Sequence, residues 1–305
     1  MTETAAQTHE DLRPLLFSMA YRMVGTVGDA EDLVQEAFLR LHREETEGTE
    51  IESPKAFLTT VVTRLAIDHL RSARVRREEY VGEWLPEPLV EGPGPAEHAE
   101  MSDSLSLAFL VLLESLSPVE RAVFLLHDVF GYSYAEIADL VGKTEAACRQ
   151  IALRARRAVD ERRPRFDPSE EERRRVAEKF FAAFAGDASD IAAVLAEDVI
   201  LHGDGGGKAP AIARPLLGAD RVARALVNWI RQGVRVGFRA EPAVVNGQPG
   251  TVVRTLDGEV INAMALDIAD GRVQSIYSIV NPDKLGHLGP VADLNALMRE
   301  ARERR

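Results

Sequence analysis

The sequence predicts a multidomain chain: two all-α domains, the second a helix-turn-helix, followed by an α+β domain. Three observations predict it. From Leu12 to Leu41, from Ser53 to Leu70 and from Ser117 to Arg165 apolar residues recur mostly at three- and four-residue spacing. Within that half, Ser117 to Arg165 spells helix, short turn, helix. Beyond Pro164 the pattern changes to short apolar runs separated by Asn246-Gly247, Asp257-Gly258 and Asp270-Gly271, the dipeptides of tight hairpins. A length of 305 residues accommodates two or three domains.

The stretch from Ser117 to Arg165 is the most legible. Ser117-Pro118-Val119-Glu120 and Ser133-Tyr134-Ala135-Glu136 each put a hydroxyl at an N-cap and a glutamate three residues later, a capping box twice over. Pro118 falls at the first helical position, where its missing N–H costs nothing. Ala122, Val123, Leu125 and Leu126 give this helix an apolar face, and Gly131 ends it. A short helix follows with Ile137, Ala138, Leu140 and Val141 inward. Gly142-Lys143 then turns the chain and Thr144 caps a third helix. There Cys148, Ile151, Ala152, Ala155 and Val159 share one face, while Glu145, Arg149, Gln150, Arg154, Arg156 and Arg157 share the other. The early turns of such a helix can reach base edges and the later ones phosphates. A solvated face is the ordinary meaning of a charged stripe; here caps, turn and charge agree with one another and point to DNA.

The net charge is −12, with basic residues concentrated at Arg64 to Arg77 and Lys143 to Arg165, and acids at Glu44 to Glu52 and Glu78 to Glu100. Small basic patches in an acidic body bind naked DNA weakly, because phosphate affinity follows the charges that reach the backbone. A partner that delivers the chain to DNA is therefore expected. The hydrophobic fraction of 46% is that of a soluble globular protein, and no run of about 18 apolar residues is present to span a membrane. Glu3, Glu10 and Asp11 do not fit a signal peptide, and a cytoplasmic protein is expected. The single cysteine excludes an internal disulfide and offers no zinc cluster; no cofactor and no metal is expected.

At the N-terminus, Leu15, Leu16, Met19, Ala20 and Met23 make a first helical stripe, interrupted at Gly25 and Gly28. Asp29-Ala30-Glu31-Asp32 opens a second helix with acids at its positive end. Leu33, Val34, Ala37, Phe38 and Leu41 are its buried stripe, leaving Asp32, Gln35, Glu36 and Arg40 outward as a solvated face or a polar docking surface. Ser53-Pro54 caps a third helix through Phe57, Leu58, Val61, Val62, Leu65, Ala66 and Leu70. Its exposed side carries Arg64, Asp68, Arg71, Arg74, Arg76 and Arg77, a basic surface suited to DNA phosphates. From Tyr80 to Glu100, Pro86, Pro88, Pro93 and Pro95 exclude helix and inner strand, so this is a linker. Trp84, Leu85 and Leu89 are costly to leave wet, so part of it is expected to pack on a neighbouring domain.

The ordered set DAEDLVQEAFLRL, SPKAFLTTVVTRLAIDHLRSARVRR, linker, and SPVERAVFLLHDVFGYSYAEIADLVGKTEAACRQIALRARRAV resembles an RNA polymerase sigma factor of the extracytoplasmic-function (ECF) class, without a third sigma domain between its parts. The resemblance implies a sigma domain two at 1–79, a Pro-rich linker at 80–101 and a sigma domain four at 102–166. It implies that Asp32, Gln35 and Glu36 meet the clamp helices of the polymerase large subunit. Arg64, Asp68 and Arg71, with Arg74 beside them, would lie near the upstream edge of the melted promoter element. Glu145, Arg149, Gln150 and Arg154, with Arg157 on the same face, would read the distal one. Leu153 departs from the polar residue that relatives often carry at its turn.

After Pro164, Val176, Phe180, Phe181 and Phe184 predict a helix and Ile191 to Leu195 a short second one. Strands are predicted from Asp198 through His202, then at Val234 to Ala240, Pro242 to Val245, Thr251 to Thr255, Val260 to Ile268 and Val273 to Ile279. Helices followed by a strand meander give an α+β domain with a curved sheet wrapped on its helices. This half resembles the SnoaL-like, nuclear-transport-factor-like (NTF2-like) cone fold. WLPEP (Trp84, Leu85, Pro86, Glu87, Pro88), DGGGK (Asp204, Gly205, Gly206, Gly207, Lys208) and NPDKL (Asn281, Pro282, Asp283, Lys284, Leu285) together look like ECF sigma factors of the SigJ type, which carry this fold as a C-terminal extension.

That resemblance implies a SnoaL-like regulatory domain at 167–285, a tail at 286–305 and an interdomain regulatory role for the three motifs. Core RNA polymerase and promoter DNA are the implied partners, with no membrane, control in cis and no separate anti-sigma factor required. A small-molecule ligand in the C-terminal domain is a further partner the cone fold admits. The function expected is promoter-specific transcription initiation without enzymatic activity; the alternative is a DNA-binding regulator fused to a small-molecule enzyme or ligand sensor. For the enzyme reading, His202, Asp204 and Tyr277 are placed at the mouth of the cone's cavity, where a carboxylate can serve as a general base. Asp204 more simply begins the turn of a Gly-rich loop. DGGGK is no Walker motif, since Ala209 stands where Ser or Thr is needed.

Overall fold

A computed structural model describes residues 3–90, 105–160, 168–184 and 187–303, with the side chains at 3–10, 74–78, 236 and 301–303 outside the description. The chain forms two compact units, Met1–Glu78 with Leu110–Arg163, and Glu79–Phe109 with Pro164–Arg305. The stretch read as a linker therefore belongs with the C-terminal half.

In the first unit α1 (Glu3–Val24), α2 (Val27–Thr46) and α3 (Pro54–Glu78) pack on one another. Leu16, Met19 and Met23 meet a core shared with Leu33, Val34, Leu58 and Val62, all buried. Gly25, at φ 78°, ends α1, whereas Gly28 lies inside α2, which starts two residues before the expected Asp29. After α4 (Leu107–Leu113), helix α5 (Pro118–Phe124) runs into a π-helical turn, Leu125–Val129, and then come α6 (Tyr134–Val141) and α7 (Glu145–Asp160).

Both capping boxes form. The Ser117 and Ser133 side chains accept from the amides of Glu120 and Glu136, whose carboxylates accept in return from the serine amides at 3.1 and 2.8 Å. Gly142 closes α6 in the left-handed conformation, φ 64°, and the Lys143 amide bonds back to Ala138 O at 3.0 Å. Thr144 Oγ1 accepts from the Ala147 amide (3.2 Å) to start α7. Cys148, Ile151, Ala152, Ala155 and Val159 are buried as their spacing predicts.

Arg121, 3% exposed, was not singled out by the pattern. Its guanidinium donates to Leu113 O (3.1 Å) and Met23 O (2.6 Å), carbonyls at the ends of α4 and α1, and pairs with Glu114 at 2.7 Å. Burial lowers its pKa to about 9.

The second unit is α8 (Glu170–Ala183), α9 (Ala188–Val194), β1 (Leu195–Asp204), β2 (Leu216–Leu217), α10 (Ala219–Val236), β3 (Arg239–Val245), β4 (Gln248–Arg254), β5 (Val260–Ala269), β6 (Arg272–Ile279) and α11 (Leu294–Glu303). The six strands lie in the order β2-β1-β6-β5-β4-β3, with β1 and β6 parallel and the other neighbours antiparallel. Register shifts in β1, β4 and β5 bend the sheet around its helices. Phe180, Ile191, Val222 and Leu226 from the helices meet Leu201, Met264, Leu266 and Ile276 from one sheet face.

The expected strand at Val234 to Ala240 is corrected. Val234, Arg235 and Val236 complete α10, Gly237 caps it at φ 77°, and a single strand, β3, takes up Arg239 to Val245. Pro242 is tolerated there because β3 is an edge strand. The first strand starts at Leu195 rather than Asp198, and α11 forms in what was read as tail.

Ser133→Ala removes the hydroxyl that holds the first turn of α6 and is expected to cost about 1 kcal/mol, while Ser133→Asp restores most of it. Urea unfolding followed by circular dichroism of the two variants checks this.

Candidate functional site

On α2, Asp32 and Gln35 are exposed, and Glu36 is half-buried and paired with Arg40 at 2.7 Å. The Arg40 bond holds the Glu36 carboxyl below the usual range. Leu39, 45% exposed, lies one turn beyond Gln35, so the outward face combines acid, amide and one apolar contact.

On α3, Arg64 is brought to the helix-turn-helix. Its Nε donates to Leu140 O and its Nη2 to Asp139 O, both at 3.1 Å, capping the last turn of α6. Thr59 and the Tyr132 hydroxyl are 3.2 Å apart beside it. Asp68 and Arg71 are exposed and paired with each other at 2.9 Å. The Arg74 side chain lies outside the described residues. On α7, Glu145 pairs with Arg149, whose guanidinium also stands 5.8 Å from the Tyr134 ring, and Arg154 pairs with Glu120 at 3.5 Å. Gln150 and Arg157 are exposed on that face, and Leu153 is 43% exposed among them. Exposed pairs of this kind are worth about 0–1 kcal/mol, so the arginines exchange readily to another anion.

A dense polar arrangement in the second unit is centred on Asp204, which is fully buried at the end of β1. Oδ1 accepts from the Tyr80 hydroxyl (2.5 Å) and the Gly206 amide (3.0 Å); Oδ2 accepts from the Leu85 amide (2.9 Å) and Lys284 Nζ (2.7 Å). All four acceptor positions of the carboxylate are thus occupied. Lys284, 4% exposed, also donates to Leu85 O and stands 4.1 Å from the centre of the Trp84 ring. The three motifs WLPEP, DGGGK and NPDKL therefore converge on one buried ion pair.

The loop is shaped for this. Gly205 has no room for a side chain, since a Cβ would lie 2.3 Å from Ala209 O. Gly206, at φ 58°, would put one 2.3 Å from the Asn281 amide. Asn281 Nδ2 in turn donates to the Tyr80 hydroxyl (2.8 Å), and its Oδ1 caps the short turn Pro282–Lys284 by accepting from Asp283 N at 3.1 Å. Gly207, at φ 70°, faces Val81, and Lys208 pairs with Asp283 at the exposed edge. Burial raises the Tyr80 pKa. Leu85, Pro86, Pro88 and Leu285 are buried and Glu87 is partly so.

Further anchors hold the same stretch. His287 Nε2 donates to Pro88 O (2.7 Å), and His202 Nδ1 meets Glu83 Oε1 at 2.8 Å while stacking on Tyr277. At the β3–β4 turn, Asn246 donates from its backbone to Leu89 O (2.7 Å), accepts from Leu89 N (2.9 Å), and donates from its side chain to Leu105 O (3.1 Å). Gln248 accepts from Leu107 N at 2.9 Å. Both ends of the stretch between Leu85 and Leu107 are thus held on the same sheet. Tyr80 and Leu89 carried a signal, being aromatic or apolar in a polar stretch; Asn246 and Gln248 carried none beyond the turn.

A cavity of about 380 Å³ lies between the sheet and α10 and α11, with Gly203 and Ser278 in its wall. Placing His202, Asp204 and Tyr277 at this cavity is corrected. Side chains alternate along a strand, so the neighbours of Gly203 and Ser278 face away from it, toward Glu83 and Leu85.

Two family models match the chain, Sigma-70 region 2 over residues 8–76 and Sigma-70 region 4 over residues 106–159. The chain is 41% identical over 287 residues to the ECF RNA polymerase sigma factor SigJ of Mycobacterium tuberculosis, covering 90% of this chain and 91% of that protein. It is 35% identical to the "Probable ECF RNA polymerase sigma factor SigI" of the same species, over 90% of this chain and 93% of that one. The crystal structure of M. tuberculosis SigJ matches with a TM-score of 0.75 at 38% identity, covering 92% of this chain and 98% of that one. The chain belongs to the extracytoplasmic-function sigma factors of RNA polymerase, which direct promoter-specific transcription initiation, and carries an α+β domain as its C-terminal extension.

Proposed function

We propose that the C-terminal domain controls initiation in cis by holding the stretch between the two sigma regions, and that Asp204 is the centre of that hold. The observation that carries this reading is the buried carboxylate of Asp204 bonded at once to Tyr80, Leu85 and Lys284. A promoter measures the spacing of its two elements, so a domain that prefers one arrangement of the linker over another shifts activity by that difference in affinity. With the controlling domain built into the chain, no separate anti-sigma factor is required.

The outward face of α2, with Asp32, Gln35 and Glu36, is the surface proposed to dock on the core polymerase. Arg64, Asp68, Arg71 and Arg74 serve the proximal promoter element, and Glu145, Arg149, Gln150, Arg154 and Arg157 the distal one. Arg64 is engaged with the α6 carbonyls, so its use on DNA requires exchange of those two hydrogen bonds for a phosphate. Work on the polymerase makes this a cytoplasmic protein. For the C-terminal domain we infer binding without turnover: among the described residues lining its cavity there is no Asp, Glu, His, Lys, Arg, Cys or Tyr to serve as a general acid or base.

Charge reversal at Asp32 or Glu36 is expected to weaken core-polymerase binding while changing stability by no more than about 0.5 kcal/mol; a polymerase pull-down with a melting curve reads both. Arg149→Ala is expected to lose about 1–3 kcal/mol of discrimination at one base pair of the distal element, measured on a set of single-base promoter variants. Asp204→Asn leaves a buried ammonium without its carboxylate and is expected to cost about 3–5 kcal/mol, whereas Asp204→Asn with Lys284→Met loses much less. Trp84 and Trp229, the two tryptophans, both lie in the second unit, so tryptophan fluorescence during urea unfolding reports on it alone. Control in cis is tested by run-off transcription with the full chain, a chain ending at Leu285 and one ending at Arg165, each with and without Trp84→Ala. Removing 167–305 is expected to shift activity one way and removing only the part beyond Leu285 the other. An equal effect of Trp84→Ala with and without the C-terminal domain overturns the reading.

A further inference from the structure

The cavity of the second unit has no part in the hold on the linker, yet it is built like a binding site. Its volume of about 380 Å³ falls in the range of small-molecule pockets. Trp229 and Phe238 give it flat apolar walls, and Leu294 and Met298 close one side from α11. Among the described residues no charged side chain lines it, so an ion entering there would lose its water without gaining a counter-charge.

Its polar atoms are few and partly unused. Thr251, 2% exposed, lines the cavity from β4, and its Oγ1 is buried without a hydrogen-bond partner. A native interior seldom leaves a hydroxyl so. Asn262, opposite Val253 on β5, donates from Nδ2 to Ser278 Oγ (2.7 Å) and Ile279 O (3.2 Å). A carbonyl oxygen only accepts, so this second bond fixes the amide orientation and leaves Oδ1 as a free acceptor among the described residues. Thr251 and Asn262 are diagonal neighbours on the same sheet face, offering a hydroxyl and an amide oxygen within an apolar wall.

We propose that this cavity binds a neutral, largely apolar small molecule carrying one hydrogen-bonding group, which Thr251 and Asn262 receive while α11 forms the facing wall. The binding stands whether or not the domain controls the linker.

N-phenyl-1-naphthylamine is a suitable probe: it is neutral, has two aromatic groups, and its single N–H can donate to either oxygen. Titrated into the full chain, it is expected to bind saturably at one molecule per chain, read by energy transfer from Trp229 in the wall. Its sulfonated relative, 1-anilinonaphthalene-8-sulfonate, is expected to bind about tenfold more weakly, for want of a counter-charge. Thr251→Val keeps the shape and removes the hydroxyl, and about a fivefold loss of affinity for the neutral probe is expected. Val253→Trp fills the space and should abolish binding; Ala211→Phe does so from the other wall should the first variant fold poorly. The chain ending at Leu285 lacks Leu294 and Met298 and should bind weakly. Absence of saturable binding overturns the proposal, as does equal affinity for the sulfonate or unchanged binding when a folded variant fills the cavity. An unaltered affinity in Thr251→Val removes the assigned polar contact.

Discussion

A carboxylate shut away from water must have its acceptor positions filled by the protein, and Asp204 imposes that requirement on the second unit. Its donors come from β1's own loop, from the stretch before the helix-turn-helix and from the turn after β6, three segments far apart in sequence. The glycines of the loop follow from it, because the backbone must come close enough for Gly206 N to reach Oδ1 and for Asn281 to pass beneath. Trp84 follows too, since Lys284 brings a charge under the indole that apolar packing alone would leave bare. A buried pair of this kind adds little net stability over apolar residues of the same shape. It can enforce register instead: a linker docked one residue out would leave the ion pair half made.

A second constraint recurs across the molecule, the carbonyls left over at helix ends. Arginines meet it repeatedly. Arg121 takes Met23 O and Leu113 O, Arg64 takes Asp139 O and Leu140 O, and Arg272 takes Ala193 O and Leu195 O after α9. Each guanidinium offers several donors in a fixed fork and meets the negative end of a helix. In the first unit this joins helices whose apolar faces alone would tolerate sliding, and it sets Arg64 between a structural bond and the basic surface around it.

Much of the first unit was legible because its signals are local. Ser117 and Ser133 with their glutamates, Gly142 at the turn and the stripe Cys148 to Val159 act within a few residues of themselves. In the second unit the hairpin turns were legible for the same reason. Helix α10 was missed although Val222, Leu226, Trp229 and Ile230 carry its period, because Val234 to Ala240 also reads as a β-branched run and Gly237 ends the helix inside it. Of the candidate site, the three motifs were visible as exceptions, prolines beside a tryptophan and three successive glycines. The ion pair joining them was not, since Asp204 and Lys284 are ordinary surface residues until the fold buries them. His202 and Tyr277 were assigned to the wrong side of the sheet; a strand's alternation fixes which residues share a face but not which face meets the helices.

The double attachment at Leu85 and Leu107 changes what the chain is as a polymer. A flexible tether between two nucleic-acid-contacting regions sets the local concentration of the second once the first is bound, and that concentration falls as the free contour grows. With Leu85 held by Asp204 and Leu107 by Gln248, both attachment points are fixed on one sheet, so while both hold the contour between them adds no reach. The effective tether is then the short remainder on either side, together with the domain that clasps it. Under the control in cis proposed above, opening one clasp would lengthen the tether abruptly, and the quantity switched would be the entropy of a search.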